Sequence, residues 1–453
     1  MGIRRLLLRG VDSHLRGFLK RSAVVASIRI VGLLFVFLLQ LLLARLVGDS
    51  LEYGKYAWGQ SLLFLVGSLA AMGIPVATSR FIASLSAHQN DRAATAVIDR
   101  ARLLLTMSSA LLLMLALGMV LLGSKIPNHN FYWELSVIAL LLAPGVSLAL
   151  LYQHMSIARH WIILAFLPMQ VLRPVIIAVL SVLVWWLSGR NLTGDLTLLL
   201  AGISIFLVYV PQAVIFKSRQ AKLPSANKKV GINADFHPGN LFRTSFPIFI
   251  TRTASVTMEY SNVLLVGFLA GPAAAGAYFA AERLALLASV PSSIVSSVSQ
   301  PEMAAASARN ERGLLRTLTV RAAHGSLWPT TGIALVLIIF SSPLLSLFGD
   351  AFSHAAPVLV VLAIGEIVTV VTGPAKDLLL MTGHQRLLPR VMISTSVIHL
   401  LLLIVLVPNG GAVGAALTSA ISGLFSSLWL MLLVRREIAI NPTIFAGRII
   451  DES

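Results

Sequence analysis

Long apolar runs alternate with short polar breaks along nearly the whole chain. Runs of spanning length lie at about 22–47, 56–84, 103–123, 132–156, 162–187 and 196–216. After a polar stretch they resume at about 245–270, 273–300, 318–340, 355–381, 391–408 and 412–434. A helix rises 1.5 Å per residue, so about 20 apolar residues cross a hydrocarbon core of about 30 Å. The pattern predicts an all-α polytopic membrane protein of twelve transmembrane helices.

The runs repeat. Arg29 precedes Gly48 by 19 positions, and Arg252 precedes Gly271 by 19. Ser22 and Ser245 each stand seven residues before their arginine, and the glycines lead to Gly54-Lys55-Tyr56 and Gly276-Ala277-Tyr278. A duplication explains this register. Six spans separate the copies, so equivalent helices cross in the same direction. The natural relation is a pseudo-two-fold axis along the membrane normal, with two pseudo-symmetric six-helix bundles around a central cavity. The expected organisation is a basic segment at 1–21, an N-terminal bundle at 22–216, a linker at 217–244, a C-terminal bundle at 245–434 and a tail at 435–453. Leu7, Leu8, Val11, Leu15, Phe18 and Leu19 share one face of the first segment, opposite its basic residues. That arrangement fits an interfacial helix on anionic headgroups, or equally a solvated tail that fixes topology.

Composition agrees with the pattern: 57% of residues are hydrophobic, 12% are charged, and the mean hydropathy is +0.87. The net charge of +17 raises the question of nucleic acid, and its distribution answers it. Alternate loops and both ends hold 26 Lys and Arg, the intervening loops hold only Arg45, Lys55, Lys125 and Arg190, and five lie inside spans. By the positive-inside rule both termini and the linker face the cytoplasm, and no nucleic-acid partner is implied. The apolar run from Val24 is too long for a cleavable signal and lacks a small-x-small site. With no cysteine, scattered His154, His160 and His399, and no G-x-x-x-x-G-K-[ST] pattern, no metal, cofactor or P-loop ATP site is expected. The short outer loops leave no domain for covalent chemistry.

Charges inside spans are the functional candidates, because each is expensive in the membrane. Arg173 lies deepest and precedes Pro174; it either faces a ligand or bonds the carbonyls that the kink frees. Arg29 and Arg252 lie about 28 Å from the outer turn, near the cytoplasmic end. They either snorkel or share an anion-binding role, and guanidinium forks suit phosphate. Glu366 and Glu259 are carboxylates placed to carry a coupled proton or sodium ion, or to pair with an arginine. Glu282 is expected to pair with Arg283, and Asp377 with Lys376. Gly54 and Gly276 read as turn residues, and Tyr56 and Tyr278 as an aromatic belt.

The run ArgLeuValGlyAspSerLeuGluTyrGlyLysTyr at 45–56 and SerArgPheIle at 79–82 resemble the bacterial polysaccharide (O-antigen type) flippases. So do GlyProAlaLysAspLeuLeuLeuMetThrGlyHisGln at 373–385 and GlyAlaValGlyAlaAla at 411–416. That superfamily also holds multidrug exporters and lipid II flippases. The resemblance implies a central cationic cavity lined by helices 1, 2, 7 and 8, with Arg29, Arg252, Arg173 and Arg80 as substrate-binding residues, and alternating access as the mechanism. The implied cargo is an undecaprenyl-pyrophosphate-linked oligosaccharide, flipped to the outer leaflet of the bacterial cytoplasmic membrane, with membrane lipids and a polysaccharide polymerase as partners. The alternatives are an ion-coupled exporter of amphipathic compounds and a membrane-embedded polysaccharide-assembly enzyme or partner.

Overall fold

The computed structural model describes residues 27–28, 30–88, 90–123, 131–222 and 241–443. Arg29, the first 26 residues and most of the linker and tail lie outside the described residues.

Helices make up the chain: α1 (Ile30–Val47), α2 (Ser50–Ala70), α3 (Ile74–Ala87), α4 (Asp91–Gly123), α5 (Phe131–Ala158), α6 (Ile162–Leu187) and α7 (Gly194–Ala221), followed by α8 (Leu241–Ala270), α9 (Pro272–Ala308), α10 (Arg312–Ile339), the short α11 (Ser341–Ser346), α12 (Ala356–Val371), α13 (Ala375–Met381) and α14 (Leu388–Glu437). Among the described residues nine are long and apolar enough to cross a membrane, or up to ten if α2 and α3, bent by 48°, form one span. The chain is a multi-pass membrane protein.

Two helices look like departures from the expected spans; the first, split by a reversal at Gly411, keeps both expected runs. The runs at 391–408 and 412–434 are joined in α14, whose 50 residues would measure about 75 Å if straight. They are not straight. Gly411 adopts φ 52°, ψ −132°, and His399 Nδ1 lies 2.8 Å from Ser422 Oγ, a pair that a straight helix would hold about 34 Å apart. The chain reverses at Gly411 into two antiparallel arms. The other departure is α8, which reaches 30 residues but is not among the nine, because Arg243, Arg252, Glu259 and several Ser and Thr dilute its apolar character.

Side chains sort by solvent. On α4, Met107, Leu111, Met114 and Leu121 are exposed, whereas Ala101, Ser108, Ser109 and Ala116 are buried. Large apolar residues meet lipid, and small ones let helices approach, as expected where no hydrophobic drive operates between helices.

Helices α2 to α7 pack on one another, as do α8 to α14, and the halves meet where α2 contacts α8 and α9 and where α3 contacts α8. The duplicated glycines make that meeting. A Cβ on Gly54 would run into the Pro272 carbonyl, and one on Gly276 would sit 2.8 Å from the Ser50 oxygen and 3.0 Å from the Gly54 nitrogen. Gly54 and Gly276 are therefore helix-crossing residues, and the turns belong to Gly48 (φ 72°) and Gly271 (φ 92°). Tyr56 and Tyr278 correct the belt expectation as well. They are 0% and 1% exposed, because they follow the crossing glycines and must fill the space beside them. The same end is tied by Trp58 Nε1 donating to the Leu264 carbonyl (3.0 Å), by Tyr132 donating to that of Gly267, and by Arg45 donating to Leu347 and Ser346 (2.7 and 3.0 Å).

Candidate functional site

Arg173 opens the helical segment that follows a single π turn at Pro168–Leu172. Such a turn inserts a residue into the helix and re-aims the next side chain. Arg173 is consequently 9% exposed. Its guanidinium lies 4.9 Å from the centre of the Phe64 ring, with one long hydrogen bond to the Ala201 carbonyl (3.4 Å). Its Nε has no partner, and no carboxylate pairs with it, among the described residues. A buried cation held by a ring face and one carbonyl retains unused donors. Phe64 in turn stacks on Tyr260 of α8 at 6.1 Å and 20°, so Arg173 is linked through α2 to the second half.

Arg283, on α9, occupies a comparable setting in that half. It lies 4.3 Å from the Phe279 ring centre and 3.6 Å from Glu282, and its Nε is also buried without a partner. The Glu282–Arg283 pairing expected from sequence is thus present, but it is long and leaves donors free. The charges of Arg173 and Arg283 both reach Tyr56. Between the halves stand Tyr53 and Tyr56, which share Gln40 at 3.2 and 3.3 Å. Sequence reasoning missed Gln40 and placed Arg283 only in a local pair. The available signal was a glutamine, 2% exposed, inside an otherwise apolar run.

The remaining candidates divide. Arg252 and Glu259 are exposed on α8; the charge of Arg252 reaches His154 and Tyr260, and that of Glu259 reaches Tyr260 and Glu282. Arg80 is exposed midway along α3. Neither Arg80 nor Arg252 forms an ion pair among the described residues. The structure therefore gathers Arg173, Arg283, Glu282 and Glu259 around the α2–α8–α9 seam and leaves Arg80 outside the group.

Glu366 lines a separate cavity of about 350 Å³ within the second half, walled by Ser289, Ser292, Ser296 and Ser299 of α9 and by Asp377. The Ser299 hydroxyl is buried without a partner. Asp377 accepts from Ser296 (2.6 Å) and Gln300 (3.1 Å), which replaces the expected Lys376–Asp377 bridge: a hydroxyl and an amide from α9 reach the carboxylate while Lys376 stays exposed. No group of three or more His, Asp or Glu suited to a metal occurs among the described residues.

This arrangement of helices is that of the multidrug and lipid-flipping transporters. The fold resembles an inward-facing MATE family transporter of the MOP superfamily at TM-score 0.70 and 15% identity, over 94% of this chain and 99% of that one. An outward-facing MATE structure gives TM-score 0.64 at 13% identity, over 93% and 96%. The lipid II flippase MurJ in an inward closed conformation gives 0.67 at 16%, over 91% and 87%. The polysaccharide biosynthesis protein family model matches residues 18–307, and the chain belongs to that family. No curated protein matches its sequence.

Proposed function

We propose that the protein is a flippase that carries an undecaprenyl-pyrophosphate-linked oligosaccharide across the bacterial cytoplasmic membrane by alternating access. In this reading twelve spans form two six-helix bundles with both termini in the cytoplasm. The observation that carries the reading is the pair of arginines, Arg173 buried and Arg283 half-buried, one in each half and each held by an aromatic face with donors to spare. Phosphate oxygens accept several charge-assisted hydrogen bonds, and a guanidinium keeps its charge at any relevant pH. Family membership and the likeness to a lipid-flipping fold support the same cargo class.

Arg252, Arg80 and Arg29 are proposed to receive the diphosphate from the inner leaflet before it reaches the central pair. Glu366, in its hydroxyl-lined cavity, and Glu259, beside Glu282, are proposed to carry the coupled ion. The tightly tied Gly54–Gly276 end is the outer one in this topology, which fits an inward-facing state of the alternating-access cycle. A polysaccharide polymerase is the expected downstream partner.

A second reading, export of amphipathic cations, draws on Glu259 and Glu282 at the same seam and on the MATE likeness. Purified protein in vesicles separates the two. We expect protein-dependent transfer of lipid-linked oligosaccharide across the bilayer, reduced several-fold by Glu366→Gln, and no gradient-driven uptake of cationic dyes. Dye transport without movement of the glycolipid would establish the exporter instead.

A further inference from the structure

A groove of about 580 Å³ runs between α6 and α7 in the first half, and Arg173 is not among its lining residues. Its origin is local. Pro168 has no N–H, so the Leu164 carbonyl four residues earlier loses its helical partner; Gln212 Nε2 of α7 donates to it instead, at 2.9 Å. The π turn at Pro168–Leu172 then carries α6 off its straight path, and Pro211 interrupts the facing helix. The two helices part, and Gln212 fixes the gap.

The groove is apolar along its length and basic at one end. Ile163, Leu172 and Ile215, all exposed, form its apolar wall, Leu172 lying farthest along α6 from the basic end. At that end lie His160 and Arg219, both exposed. The Arg219 guanidinium is held 5.7 Å from the Trp161 ring centre and makes no ion pair among the described residues. From Ile162 to Leu172 the groove follows about 15 Å of helix, which is one leaflet of a hydrocarbon core of about 30 Å. The basic end coincides with the end of α7 that bears Lys217, Arg219 and Lys222.

We propose that this groove binds an anionic phospholipid of the leaflet on that basic side, with its phosphate on Arg219 and His160 and one acyl chain along the apolar wall. Length and charge both select this occupant. A free phosphate has no use for the apolar wall, and a zwitterionic lipid brings its own ammonium to the basic end, where it repels Arg219 and offsets the attraction of its phosphate. The proposal does not depend on the cargo or on the flippase reading.

Photocrosslinking tests it, using phosphatidylglycerol with a diazirine in one acyl chain, in vesicles otherwise made of phosphatidylcholine. Crosslinks should concentrate in 160–172 and 208–219, and unlabelled phosphatidylglycerol should compete while phosphatidylcholine and glycerol 3-phosphate do not. The double substitution His160→Gln, Arg219→Gln should lower labelling about fivefold, the equivalent of ~1 kcal/mol for a basic side chain near an anionic headgroup. Ile163→Trp, which fills the apolar wall and leaves the basic end intact, should lower it as well. Labelling spread evenly over the lipid-facing helices, or competition by glycerol 3-phosphate as strong as that by the lipid, overturns the proposal with the unsubstituted protein alone. Labelling unchanged in the double variant does the same.

Discussion

Arg173 is the residue on which chemistry and architecture converge. Its position next to a proline suggests that it satisfies carbonyls freed by a kink, but the carbonyl it reaches is Ala201 O of the neighbouring α7, at 3.4 Å. Its other contact is the Phe64 face, and a desolvated cation–π pair contributes about 2 kcal/mol. Lysine at this position keeps the charge and loses both the planar stack and the fork. Arg173→Lys should therefore leave membrane abundance near normal while lowering glycolipid transfer about tenfold or more, the equivalent of losing one charge-assisted hydrogen bond. Arg173→Ala should abolish transfer. Full transfer by Arg173→Lys in vesicles would reduce this arginine to a helix brace. Glu366 differs in kind, because it stands in a polar cavity inside one half; its substitution should alter coupling to an ion gradient rather than affinity for the glycolipid.

At the scale of elements, the halves are joined by helices that touch backbone to backbone. Gly54 and Gly276 permit this, and Ala at either would force the crossing apart; overpacking of this kind costs about 1–3 kcal/mol. Gly118, with nothing within 4 Å of an added Cβ, is the matched control, where Ala is neutral or gains the ~1 kcal/mol of helix propensity. Thermal unfolding in detergent should show Gly54→Ala less stable than the parent and Gly118→Ala at least as stable; equal midpoints would mean that the crossing is loose. Gln212 offers a second check. Gln212→Leu leaves the Leu164 carbonyl buried without a partner, at a cost of about 1–3 kcal/mol, and the resulting loss of thermal stability should exceed that of Gln220→Leu near the exposed end of the same helix.

For the whole molecule, the charge asymmetry of 26 against 4 between alternate loops and ends predicts cytoplasmic termini. Because the chain has no cysteine, single replacements report cleanly. A cysteine at Asn130 should react with an impermeant thiol reagent in intact cells, and one at Ser225 should react only after permeabilisation; the opposite result inverts the topology. Orientation also decides the energetics. Moving an anion outward along an inside-negative potential gains about 2.3 kcal/mol per charge per 100 mV. Vesicles with an imposed potential should thus transfer the diphosphate-linked glycolipid faster than depolarised ones, and an unchanged rate would show that the protein neutralises its cargo in transit.

The membrane as solvent and the helical character were legible in the sequence alone, because both are written in local periodicity. Apolar runs cannot end before the bilayer does, and the equal spacing of Ser, Arg and Gly in the two halves, with Tyr one residue closer in the second, is visible whether or not the chain has folded. It also marked Arg173 and Glu366, since a charge within an apolar run is visible without coordinates. That Gly54 meets Gly276, that Tyr56 and Tyr278 are core residues, and that Asp377 bonds α9 in place of Lys376 came only with the packing of the helices. The settings of Arg173 and Arg283 against the Phe64 and Phe279 rings belong there too. These depend on which helix lies opposite which, and no spacing within one helix specifies its neighbour. Helices in a membrane are matched by steric fit and a few polar contacts between segments distant in sequence, so that information exists only once they have packed.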